Sequence, residues 1–332
     1  MTGYVSSFIP SDVFKLSGND TGNSWFALSS KTGHKDRIYV FKYFYRNTGQ
    51  GAERAQSSWS YWDLAGADEI LSILCVEEVL FLLVRYGTDI WLEKMVVSDR
   101  LSDVTPEPYP MMIDRRVTTK DLGQHSTVRV AAGSFNAITK KTTWTLPYTV
   151  ATKTEAWSAY DTSTNAVLNG GVLLSTITSG NTIEADGDWS GSDVYFGEPY
   201  NFRYRFTKFK LYKEIGGGKA AANTERTQIR HANIRFHETW FFEIQVMAER
   251  RDSAVYKYDR TTINVRNSMI GSALPGGWNV DDKRYYEGVF RIPIASKGEN
   301  CVVEIHNDSA HPCKFSTCEW VGLITSKARS IQ

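Results

Sequence analysis

At 332 residues, with 42% hydrophobic and 13% aromatic side chains, the chain has material for about two or three domains, each with a core of its own. A formal net charge of +1 with 23% charged residues excludes a disordered polyelectrolyte, and four cysteines exclude a disulfide-built secreted scaffold of this size. The longest apolar run, Ile70 to Val84, is interrupted by Glu77-Glu78 before it reaches the roughly 20 residues of a membrane helix.

Met1-Thr2-Gly3-Tyr4 lacks the basic and apolar regions of a secretory signal, so synthesis in a cytoplasm and reduced thiols are expected. The first strong element runs from Arg37 to Trp62: an aromatic strand (Tyr39, Phe41, Tyr43, Phe44, Tyr45), a turn rich in Asn, Thr and Gly, and a return strand ending Ser57-Ser58-Trp59-Ser60-Tyr61-Trp62. Such a hairpin is a packing surface, and Tyr39, Phe41, Trp59 and Trp62 are its assembly candidates. Residues 70 to 97 predict a three-strand meander, Ile70 to Val76, Val79 to Tyr86 and Ile90 to Val97, turning at Glu77-Glu78 and at Gly87-Thr88-Asp89. Apolar residues dominate both faces of its central strand, as in a sheet covered on both sides, which suits a propeller blade. A helix over Asp68 to Leu83 is the rival reading, because short apolar runs are ambiguous by periodicity.

Three prolines in Val104 to Pro110 mark an extended linker and close a propeller-like first domain, 1–105. Residues 106–197, rich in Thr, Ser, Gly and Ala with scattered Trp144, Trp157 and Trp189, form an inserted small β domain. The third domain, 198–332, carries the chain's only basic bias and is again β. In it Phe202, Tyr204 and Phe206 alternate with Arg203 and Arg205, and the parity then flips, which requires a bulge or bend near Thr207. Trp240, Phe242, Ile244 and Val246 set another two-residue period, and Val289 to Ile294 and Cys301 to His306 are further strands, the first demoted to an edge by Pro293. The fold class is therefore all-β.

Catalytic grammar is missing. His237-Glu238-Thr239-Trp240-Phe241 begins like a zinc-protease helix, but Phe241 stands where the second His is needed and the alternation reads as strand. Cys301, His306, His311, Cys313 and Cys318 lack the spacing of a zinc knuckle. Gly216-Gly217-Gly218-Lys219 is followed by Ala220 rather than Ser or Thr, so a flexible loop is expected instead of a phosphate cradle. Glu184, Asp186 and Asp188 beside Trp189 read as a solvated turn, with calcium or carbohydrate contact as the alternative. No Gly-x-Ser-x-Gly elbow occurs. No catalytic, cofactor-binding or metal residue is assigned, and no cofactor is expected.

Several islands occur in an order that resembles one family. A strand at Tyr39 to Lys42 precedes Gln56-Ser57-Ser58-Trp59-Ser60, and Gly197-Glu198-Pro199-Tyr200 precedes Phe202 to Phe206 and Arg226-Thr227-Gln228-Ile229-Arg230. Phe290 to Ile294, Glu304 to Ser309 and Glu319-Trp320-Val321-Gly322 then follow. Over residues 25 to 105 and 197 to 332 this resembles the tail nozzle proteins (tail tubular protein B) of short-tailed bacteriophages, whose C-terminal portion, or a shortened relative, the chain is similar to. The resemblance implies a virion-tail protein made in the host cytoplasm, with no enzymatic activity. It implies a homo-oligomer, a hexameric ring attached to a tail adaptor ring and tail fibres, conducting double-stranded DNA through its channel at genome ejection. Residues 106–197 would take the place of the tip-forming part. Arg203, Arg205, Lys208 and Lys210, with Lys213, are then candidates for a subunit interface or for the channel wall, where strong phosphate binding would hold the DNA back. Two rivals remain open: a capsule-polysaccharide binding or cleaving module, and a sheet-based nucleic-acid binder built on Tyr204.

Overall fold

The computed structural model describes residues 13–19, 23–48, 51–97, 111–121, 128–159, 173–209, 212–215, 218–221, 225–239, 241–259 and 286–326. Apart from a short 3-10 turn at Gly298–Asn300, every regular element among them is a β-strand, and none is a helix long and apolar enough to cross a membrane. The chain divides into two compact units: Met1–Pro106 with Ile113–Ser158 and Val172–Glu198, and Glu107–Met112 with Ala159–Gly171 and Pro199–Gln332.

The first unit begins with β1 (Val13–Asn19), β2 (Ser24–Ser29), β3 (Arg37–Thr48) and β4 (Gly51–Asp63), an antiparallel sheet in that order. The aromatic hairpin is thus β3 and β4, with Phe41 opposite Trp59 and Tyr39 opposite Tyr61. The meander is also present as strands, β5 (Glu69–Val76), β6 (Val79–Tyr86) and β7 (Asp89–Val96), and the helical reading of Asp68 to Leu83 falls. The alternation explains how the two sheets join: Phe26, Leu28, Ile38 and Val40 of one meet Ile70, Ile73, Leu80, Leu82 and Val84 of the other in a single core.

The same unit continues with β8 (Asp114–Thr118), β9 (Ser134–Asn136), β10 (Lys141–Val150), β11 (Thr154–Ser158), β12 (Leu173–Ile177), β13 (Gly180–Asp186) and β14 (Val194–Glu198). They form two sheets, β13-β10-β9 and β12-β11-β14-β8. In β10 every second residue from Thr142 to Val150 is buried, and Trp144 and Leu146 pack with Ile183, Val194 and Phe196. Pairing with β13 lapses between Thr145 and Val150, where Pro147 has no N–H to give.

The second unit contains β15 (Phe202–Arg205), β16 (Tyr212–Ile215), β17 (Gly218–Ala221), β18 (Glu225–Thr239), β19 (Phe241–Ala248), β20 (Ala254–Asp259), β21 (Tyr286–Lys297), β22 (Cys301–Asn307) and β23 (Lys314–Ser326). Sheets β15-β22-β19-β20 and β21-β18-β23 close over a core of Ile234, Phe236, Phe242, Ile244, Ile292, Val303 and Ile305. Pro293 lies in β21, an edge strand as its missing donor demands. Near Thr207 the chain bends: β15 ends at Arg205, and Phe206 and Phe209 both return to Trp320, with ring centroids 5.1 and 4.1 Å away. Lys219 and Ala220 belong to a strand of the β16–β17 ribbon and not to a loop, pairing with Glu214 and Lys213. The linker Val104 to Pro110 and Trp240 lie outside the described residues.

Gly322 explains one island of the sequence. It pairs with Ile229 where β18 carries a bulge, and a Cβ there would stand 2.5 Å from the carbonyl oxygen of Gln228. Backbone cannot yield as a side-chain tip does, so Gly322→Ala is expected to cost about 1–3 kcal/mol, seen as a lower urea midpoint.

Candidate functional site: an aromatic sheet face and two arginine clusters

Alternation along β3 places Ile38 and Val40 in the core and Tyr39, Phe41, Tyr43 and Tyr45 on the outer face. Neighbouring strands extend this face, with Trp25 of β2 and Trp59 of β4 on either side of Phe41 at centroid separations of 6.4 and 4.7 Å. Tyr43 continues the ladder, 5.9 Å from Phe41 and 5.6 Å from Tyr45. Trp25 and Tyr61 remain 46% exposed and Tyr45 50%. Tyr39, on the same face, is itself buried, its hydroxyl 2.7 Å from His34 Nδ1. Arg37 lies 4.0 Å over the Tyr61 ring and is held by Asp63. Trp62 stands three residues from Trp59 and so faces the other way, 5.8 Å from Phe26 at the core. Of the four assembly candidates, Phe41 and Trp59 meet, Tyr39 is buried against His34, and Trp62 serves the sandwich interior.

Arg203 and Arg205 share one side of β15 beside β22, and both bind Glu304, whose side chain is 1% exposed. Arg203 grips it with two bonds, Nε to Oε2 at 2.8 Å and a terminal nitrogen to Oε1 at 2.9 Å, and Arg205 Nε also reaches Oε1. His306 Nε2 lies 3.1 Å from Oε2. The Arg203 bonds, followed by those of Arg205, hold the Glu304 carboxyl at about 2, against an ordinary value of roughly 4.3. Stability from this group is therefore present above about pH 4.3 and lost as pH falls toward 2. Glu304→Gln is expected to flatten that acid limb, measured as the unfolding midpoint between pH 5 and about 2. Lys208 is exposed beyond the strand, and Lys210 lies outside the described residues.

A second cluster gave only a faint signal in the sequence. Arg115, its side chain 6% exposed, sits at a bulge of β8, where two residues face Gly197 alone and its φ is 47°. A Cβ on Gly197 would fall 2.7 Å from the carbonyl oxygen of Asp114, so glycine is what lets the bulge close. The Arg115 guanidinium is layered between the rings of Tyr86 and Tyr148, at 3.8 and 4.1 Å, and meets Glu198 at 3.1 Å and Glu93 at 3.6 Å. It thereby ties β6 and β7 to β8, β10 and β14. One cation faces two carboxyls, with Asp114 beside them: burial pushes Asp114 up to about 7, helped by Glu198 and Glu93, and burial raises Glu198 and Glu93 as well. The glycine and the carboxylate of the Gly197-Glu198 dipeptide are the only trace of this in the sequence, since the other partners come from four distant strands.

The remaining candidates are strand and turn chemistry. His237 and Glu238 end β18, and Glu238 pairs with Lys314. The four cysteines are unbridged, and burial raises Cys313 to about 11 and Cys318 to about 12, which keeps them as thiols. No group of three metal-ligating side chains occurs among the described residues. Glu184 lies 3.7 Å from Lys141, and Asp188 accepts bonds from the Ser190 amide and hydroxyl at 3.1 and 2.6 Å in an exposed turn opened by Gly187, φ 96°.

Antiparallel sheets, an aromatic outer face and arginines committed to internal carboxylates describe an all-β protein. The family model described as bacteriophage nozzle protein matches residues 1–331. The chain belongs to that family, which makes it a structural component of a phage tail. It is 22% identical over 330 residues to the tail tubular protein gp12 of Escherichia phage T7, covering 97% of this chain and 38% of that protein's length.

Proposed function

We propose that this chain forms part of a ring-shaped tail nozzle, a homohexamer seated on the adaptor ring and neighbouring the tail fibres, that conducts double-stranded DNA during genome ejection. The observation that carries this reading is the family match along the whole chain. The charge geometry supports it. Arg203 and Arg205 are engaged by Glu304, so this basic strand presents half-neutralised arginines, and a conduit must not grip the phosphates that pass it. In this reading residues 1–105 are the propeller-like part, 106–197 the tip-forming part, and 198–332 the adaptor-facing or subunit-interface part. No side chain breaks a bond. Rigidity comes from packed aromatic faces and from the Arg115 cluster.

Imaging and mass measurement of the assembled protein test the proposal. A sixfold ring with an open channel is expected, and a monomer at every concentration and salt would overturn it. Weak retention of duplex DNA at low salt is expected as well, with tight retention at physiological salt counting against a conduit.

A further inference from the structure

The first sandwich has two outer faces, and both are apolar. A solvated antiparallel sheet alternates apolar inward with polar outward. The meander breaks that rule. Its inner residues Leu80, Leu82 and Val84 fill the core, and its outer side still exposes Leu74 by 56%, Leu83 by 36%, Ile90 by 58% and Leu92 by 73%. Leu83 and Leu92 are paired across β6 and β7, so this surface is contiguous. On the other side of the same sandwich lies the aromatic ladder of Trp25, Phe41 and Trp59.

Each face presents on the order of 500 Å² of apolar side chain, the upper end of what a monomer ordinarily leaves in water. A standard interface takes roughly 800 Å² from each partner. The hairpin supplies more. Strand β2 stops pairing at Lys42, and β3 and β4 run on as a two-stranded ribbon with Phe44 58% and Tyr45 50% exposed. A ribbon of two strands is marginal on its own, and it gains stability by lying against something.

We infer that the occupant of each face is a second copy of this chain: the aromatic face of β1–β4 in one copy seats on the aliphatic face of β5–β7 in the next. The choice follows from symmetry. Pairing either face with itself covers one face and leaves the other in water, and pairing both with themselves gives a string or a dihedral ring whose copies point both ways, which a nozzle seated at one end cannot use. One head-to-tail contact between unlike faces covers both and closes into a ring when its rotation closes. This deepens the nozzle reading and rests on it, because that reading requires a ring.

Two variants with single broken faces test the joint: Leu92→Asp on the aliphatic side and Trp25→Arg on the aromatic side, each checked for an unchanged far-ultraviolet spectrum. Mass photometry should show each alone as a monomer and an equal mixture of the two as a dimer, because one intact pair of unlike faces remains. A dimer from either variant alone would mean like-with-like contact and would overturn the inference. Rings from both variants would also overturn it while leaving the nozzle reading standing, and a wild-type protein that never assembles would remove both. If a variant misfolds, acylation of wild-type Lys94 gives an independent answer. This lysine is exposed on the aliphatic face opposite Phe81, so its labelling should slow about tenfold in the ring relative to the dissociated protein, and equal labelling would sink the joint.

Discussion

Arg115→Ala is expected to destabilise the first unit by about 3–5 kcal/mol, the cost of leaving buried charge without its partner. Glu198, 1% exposed, loses its ion pair, and its second oxygen already lacks a hydrogen bond. Tyr86 and Tyr148 lose the cation layered between them, and Tyr148 can no longer rely on a fixed backbone oxygen at Arg115, 3.3 Å from its hydroxyl. Urea unfolding followed by tryptophan fluorescence measures the effect, and a loss below about 1 kcal/mol would show that solvent already screens the cluster. Wild-type stability should itself fall with pH at this cluster. Asp114 titrates at about 7 in the folded chain and near 3.9 when unfolded, so the folded state holds the extra proton between those values. Its contribution is complete below about pH 3.9, declines as pH rises to 7, and is flat beyond. Asp114→Asn should consequently match the wild type at pH 4 and exceed it in stability at pH 8. A variant less stable than wild type at pH 8 would contradict this assignment of the proton.

Phe242→Ala should be as damaging to the second unit, again about 3–5 kcal/mol, through lost burial and the cavity left behind. The ring is fully buried and meets Tyr258 at 5.0 Å, Phe315 at 5.1 Å, Phe290 at 5.3 Å and Phe236 at 5.5 Å. These partners come from both sheets, so the site cannot collapse without moving one sheet against the other. Phe242→Leu keeps most of the volume and should cost less than half as much. Thermal unfolding of the two variants distinguishes the cavity from the loss of aromatic geometry: equal shifts would assign the effect to ring packing rather than to volume.

The elements were legible because strand alternation is a local signal. Phe242, Ile244 and Val246 state their face by parity alone, and the structure buries all three in one core. The meander was readable from its turns at Glu77-Glu78 and Gly87-Thr88-Asp89. Trp62 shows the limit of local reading: it looked like a companion of Trp59, and an odd separation sends it to the core. The Arg115 cluster lay further from reach, since Arg115 and Glu198 alone are 83 positions apart and the members meet only when β6, β7, β8, β10 and β14 are assembled.

By itself the sequence determined the all-β class, the aromatic strand and the family, because periodicity and ordered islands survive without any long-range pairing. Tertiary structure alone decided that Arg203 and Arg205 are spent on Glu304, that Arg115 serves both Glu198 and Glu93, and that both outer faces of the first sandwich remain apolar. The physical reason is that charge neutralisation and burial belong to groups brought together across sheets, and the register that brings them together is set by the pairing of strands far apart in the chain.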